Sequence, residues 1–146
     1  MPKQAVLLLA HGTPETVEQI PEYLRNVVSG RPLPQAVVEE IQHRYSLIGK
    51  SPLTEITNEQ ARLVEAELNG MGEASSASHP SDKAPSRRIA RMGHPRVPVY
   101  VGMRNWRPYI PDVVKQMRAD GVEEAAVICM APQNSRTSVG LYRRAV

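Results

Sequence analysis

Val6-Leu7-Leu8-Leu9-Ala10-His11-Gly12-Thr13-Pro14 decides the fold. The continuous apolar run from Ala5 to Ala10 reads as a strand buried on both faces, as in a parallel sheet. Gly12 allows a sharp turn at its end. Thr13 offers a side-chain cap, and Pro14 blocks further strand pairing. Ligands of open α/β sheets bind at the carboxyl ends of the strands, and His11 sits at such an end.

Working outward, the pattern alternates. A helix is expected from near Pro21, with Leu24, Val27 and Val28 inward and Gly30 at its end. A second should follow Pro34, with Val37, Val38, Ile41, Tyr45 and Ile48 at helical spacing and Gly49 as its stop. Ser51-Pro52 reads as a break. Thr57-Asn58-Glu59-Gln60 has the form of a capping box, opening a helix through Leu63, Val64 and Leu68 to Gly70. Val97–Val101 is a second expected strand, Pro111–Ala119 a helix, and Ala125–Ala131 a third, buried strand. A last helix is expected from near Ser138, still running at Val146. Strands alternating with helices predict a three-layer α/β fold with a parallel, doubly wound sheet. Only three strands are evident, so the chain reads as part of a larger architecture.

The chain has 146 residues, 41% apolar, with one cysteine. That length suits one domain, residues 1–146, and the composition can bury a core. A lone cysteine excludes an internal disulfide and a cysteine zinc site; Cys129 reads as a small core residue. The apolar runs are too short to span a bilayer, and the first four residues do not form a charged leader region. A cytoplasmic protein is expected. The formal charge of +3 is local. Between Met71 and Arg96 five basic residues (Lys83, Arg87, Arg88, Arg91, Arg96) face only Glu73 and Asp82. This Ser/Ala/Pro/Gly-rich stretch, about 70–96, reads as a flexible insertion. It contains no aromatic residue, so no nucleic-acid partner is expected.

Four places carry candidate chemistry. His11 suits a metal ligand or a general base, or simply a hydrogen bond to its own turn. Arg44 could grip a carboxylate bidentately and Tyr45 could lie flat on an apolar ligand. The plainer alternative puts Tyr45 in the core, one turn from Ile41, and Arg44 in solvent. Gly102-Met103-Arg104-Asn105-Trp106-Arg107-Pro108 sets the single tryptophan between two arginines. That suits a flat anionic ligand or a plug at the sheet edge. Pro132–Ser138 leads into a helix N-terminus, with Tyr142 one turn beyond Ser138. No glycine-rich phosphate fingerprint and no nucleophile elbow is present.

Together these segments resemble the ferrochelatase family. The resemblance rests on Leu8–Pro14, Tyr23-Leu24-Arg25-Asn26, Arg44-Tyr45 with Ser51-Pro52-Leu53, Gly102–Trp106, and Ala131–Ser138 with Tyr142, in that order. It covers the chain except about 70–96. It implies the N-terminal lobe of a two-lobed α/β enzyme that inserts ferrous iron into a porphyrin, protoporphyrin IX or coproporphyrin III, in haem biosynthesis. By resemblance His11 faces the metal, and Arg44, Tyr45, Ser51 and Tyr142 contact the porphyrin and its propionates. Tyr23 and Trp106 shape the pocket or the core. No permanently bound cofactor is implied, iron being substrate. The family's main catalytic histidine and its acidic partner lie in a Ser-x-His-type segment that nothing here matches. No catalytic residue is therefore assigned, and a C-terminal partner lobe is expected. The resemblance also admits a peripheral membrane contact. Val28 stands where one family branch has an arginine. Two other readings are a short homodimeric cobalt or sirohydrochlorin chelatase and a non-catalytic porphyrin-binding module.

Overall fold

Three parallel strands in the order β2-β1-β3 form the sheet. The computed structural model describes residues 2–70, 96–131, 139–142 and 144–146. β1 (Gln4–Ala10) is central. It pairs with β2 (Val99–Met103) from Val6↔Val99 to Ala10↔Met103. It pairs with β3 (Glu124–Cys129) from Gln4↔Glu124 to Leu9↔Cys129.

The period-2 geometry of β1 divides its apolar run between two cores. Ala5, Leu7 and Leu9 pack with Ile110, Val113 and Met117 of α4 (Ile110–Ala119). Val6 and Leu8 pack with Ala61 of α3 (Leu53–Leu68) and with Val99 and Val101. Helices therefore cover both faces, giving the three-layer, doubly wound α/β arrangement expected. A third cluster joins Ile20, Tyr23 and Leu24 of α1 (Ile20–Val27) to Trp106. Val38, Ile41 and Tyr45 of α2 (Gln35–Ile48) pack against it.

Several local expectations are corrected. The capping box at Thr57 does not form, because α3 starts four residues earlier, straight after Pro52. Ser51 Oγ accepts the Leu53 backbone N–H, and Thr57 Oγ1 donates to the Leu53 carbonyl as a buried mid-helix residue. The inward face of α3 is Thr57 and Ala61, while Leu63 and Leu68 are exposed. On α2, Val37 and Ile48 are exposed as well, since that helix meets the rest of the fold along one narrow stripe. β2 begins two residues later than its β-branched run suggests. Among the described residues β3 is an edge strand paired with β1 alone, and Val127 and Ile128 are nearly half exposed rather than buried. Cys129 is half-buried against the α4-side core, as expected of a small core residue. The last helix is α5 (Val139–Tyr142), followed by a turn rather than by more helix. The expected insertion and the Pro132–Ser138 loop lie outside the described residues.

Candidate functional site

The turn after β1 and the loop after β2 are built as one unit. The ladder between the strands continues past their ends. Arg104 N–H donates to the Ala10 carbonyl and Asn105 N–H to the His11 carbonyl, both at 2.9 Å. On the other side, Met130 N–H donates to the Leu9 carbonyl at 2.8 Å. Gly12 has φ +78°, a backbone conformation costly for any residue with a Cβ. The chain can therefore reverse against the β2 loop. Thr13 and Pro14 are buried, and Thr13 Oγ1 lies 3.5 Å from Thr54 Oγ1 on α3.

His11 is half-buried between two partners. Its Nε2 is 3.0 Å from the Tyr23 hydroxyl. Its Nδ1 is 3.1 Å from Asn105 Nδ2. The His11 and Tyr23 rings meet edge to face with centroids 6.1 Å apart, and Tyr23 meets Trp106 in the same way at 6.4 Å. Burial, and then the nearby Arg104 guanidinium, hold the imidazole below its ordinary pKa, favouring the neutral ring. Burial, reinforced by Tyr45 and Tyr142, pushes the Tyr23 phenol up to about 12, so it keeps its proton. Burial also raises Tyr142, with Cys129 adding to the effect and Arg104 opposing it.

A cavity of about 540 Å³ opens over this edge of the sheet. His11, Arg104 and Tyr142 line it from the ends of β1 and β2 and from α5, beside Leu53, Ile56 and Thr57 of α3. Ala10, Met130 and Ala131 complete an apolar floor, so a few polar groups converge on a largely apolar wall. The sequence-predicted residues thus divide. His11 and Tyr142 meet in the cavity. Arg44 lies elsewhere, its side chain 69% exposed and paired with Glu40 at 2.8 Å. Tyr45 packs one turn from Ile41, taking the core role that spacing had offered it. Ser51 serves the start of α3. Trp106 is buried, with the Arg107 guanidinium 5.6 Å from its ring centre, and belongs to the core. Sequence reasoning did not single out Arg104 or Asn105, although both stand in a motif it quoted. Which loop residue turns inward depends on the ladder to β1, which spacing does not reveal. Among the described residues no three His, Cys, Asp or Glu side chains gather as a metal site. No described helix is long and apolar enough to cross a membrane.

A parallel α/β lobe with an imidazole, a guanidinium and a phenol converging at the carboxyl ends of its strands belongs to the doubly wound class, whose ligands bind at that position in the sheet. The ferrochelatase family model matches residues 3–146, and the chain belongs to that family. It is 55% identical to the ferrochelatase of Acidobacterium capsulatum over 99% of its own length and 36% of the relative's. It is 38% identical to the ferrochelatase of Deinococcus radiodurans, over 97% of this chain and 38% of the relative. Against the coproporphyrin III ferrochelatase of Halalkalibacterium halodurans the identity is 33%, over 96% and 39% respectively. The chain thus spans little more than a third of the length of these relatives.

Proposed function

We propose that this chain is the N-terminal, porphyrin-holding lobe of a ferrochelatase, an enzyme inserting ferrous iron into a porphyrin, and that it does not complete insertion alone. The observation carrying this reading is the single cavity that brings His11, Arg104 and Tyr142 together over an apolar floor. Family membership supports it over the short cobalt or sirohydrochlorin chelatase.

Metal entry requires the flat macrocycle to bend, its two N–H protons to leave and the iron to shed water. An apolar wall accepts the ring face, and a cationic guanidinium and a phenol suit its propionates. Binding energy gathered there can be used at the reacting centre. His11, neutral and at the strand end, is the group proposed to face the ring centre. Arg104 joins Tyr142 as a porphyrin contact. Arg44, Tyr45 and Ser51 stay assigned to the porphyrin only by resemblance.

Absorbance and fluorescence titration with protoporphyrin IX and coproporphyrin III tests the reading, beside an iron-insertion assay. The expected outcome is binding of at least one porphyrin with negligible insertion. Absence of binding to both, or turnover equal to that of a two-lobed enzyme, would overturn it.

A further inference from the structure

The two sides of β2 are treated differently. Alternate residues of a strand send their main-chain groups to opposite neighbours. Val6 N–H donates to the Pro98 carbonyl and Arg104 N–H to the Ala10 carbonyl, so the even-numbered positions face β1. Val97, Val99, Val101 and Met103 therefore turn their N–H and carbonyl groups outward, where the described residues place no fourth strand.

That outward side is nevertheless occupied. Met103 N–H donates to the Pro108 carbonyl at 2.7 Å. Toward the start of β2 the partners are side chains of α3. Val97 N–H donates to Asn69 Oδ1 at 2.9 Å, and Asn69 Nδ2 donates back to the Val97 carbonyl at 3.1 Å. Val99 N–H reaches Glu65 Oε2 at 3.4 Å. Glu65 and Asn69 are one turn apart and share a side of the helix. Val101 lies between the two closures.

Asn69 is held in this pose. It ends α3, its N–H donating to the Glu65 carbonyl at 3.1 Å, and its Nδ2 also donates to that carbonyl at 2.7 Å. These contacts fix the amide orientation. A flip would set Oδ1 against two carbonyls and Nδ2 against the Val97 N–H. A side-chain amide carries a donor and an acceptor side by side, so Asn69 offers Val97 what a neighbouring strand would.

We propose that Asn69, helped by Glu65, stands in for an outer strand. It closes the β2 edge against pairing with another chain and ties together two points 28 residues apart in the sequence. An unpaired edge is a template for strand pairing between molecules, and filling its donors and acceptors removes that template. Porphyrin plays no part in this inference, so it stands or falls apart from the functional reading.

The test uses the full 146-residue chain. In the unchanged chain, NMR couplings transmitted across hydrogen bonds should link the Val97 nitrogen to the side-chain carbonyl carbon of Asn69. Such couplings between β1 and β2 but none at Val97 would overturn the proposal. Asn69→Ala should speed amide exchange at Val97 by at least about tenfold and leave Tyr100, on the β1 side, unchanged. Equal rates at Val97 in parent and variant would count against the clamp. The double variant Glu65→Ala/Asn69→Ala should show more concentration-dependent association than the parent in sedimentation velocity, with the Val101 amide protected in the associated form. Sedimentation identical to the parent's, or association without protection at Val101, would remove the edge-closing role. Should neither variant fold, the coupling in the unchanged chain decides.

Discussion

A Cβ on Gly12 would lie 3.0 Å from both the backbone nitrogen and the Cβ of Trp106, and 3.0 Å from the Cβ of Met103. The turn carrying His11 and the loop carrying Arg104 and Asn105 thus approach closely where the first has no side chain. That contact sets the separation of the two loops and so the position of the imidazole.

Gly12→Ala combines a φ of +78° with a clash against two backbone-fixed neighbours. It is expected to lower stability by about 2–5 kcal/mol. Gly121→Ala has a φ of +77° with nothing within 4 Å, and should cost only about 1–2 kcal/mol. Urea unfolding of the two variants measures the difference.

Leu8 is 1% exposed between β1 and α3, and Leu8→Ala should destabilise by about 2–5 kcal/mol. Ile128 is equally apolar but 45% exposed on the edge strand. Ile128→Ala should change stability by less than about 1 kcal/mol. Equal shifts in urea midpoint would mean that β3 is covered in solution.

Arg104 lines the cavity, while Arg44 pairs with Glu40 on an exposed helix face. Arg104→Met and Tyr142→Ala should each weaken porphyrin binding several-fold. Arg44→Ala should leave it within about twofold, since an exposed arginine of this kind contributes little. Fluorescence quenching titrations compare them. A large Arg44 effect would return the propionate grip to the position indicated by resemblance.

Tyr23 supplies the pH test. Its native pKa is about 12 against an ordinary 10.0, chiefly because it is buried. Above pH 10 the unfolded chain releases this proton and the native one does not. The unfolded state then binds fewer protons, so stability falls as pH rises from 10 toward 12. Tyr100 is likewise raised to about 12 and Tyr142 is raised, chiefly by burial, so Tyr23→Phe should lessen that fall without abolishing it. Phenolate absorbance should show Tyr23, Tyr100 and Tyr142 ionising later in the native chain than after unfolding, and the Tyr23→Phe variant should lose one of these delayed ionisations.

Much of the scaffold was readable. The Ala5–Ala10 run could only be a strand covered on both faces, and Gly49 and Pro34 bracket α2 where they were expected to. Other signals misled because they are local. Thr57-Asn58-Glu59-Gln60 carries a capping pattern, yet tertiary packing draws the preceding turn into α3 and buries Thr57. Ala125–Ala131 is as apolar as β1, but strand order, which is not written in any one segment, sets β3 at the edge of the sheet among the described residues.

The chain's order of apolar runs, glycines and prolines determined by itself the parallel α/β lobe and the strand end that holds His11. Backbone hydrogen bonding and the burial of continuous apolar stretches are short-range demands that a linear pattern can meet. Only the tertiary structure decided that Arg104 and Tyr142 share a cavity with His11, that Arg44 does not line it, and that Asn105 meets the imidazole. Those contacts depend on the register between strands 94 residues apart in the chain at the Asn105–His11 pair, and the Gly12 close approach fixes their spacing.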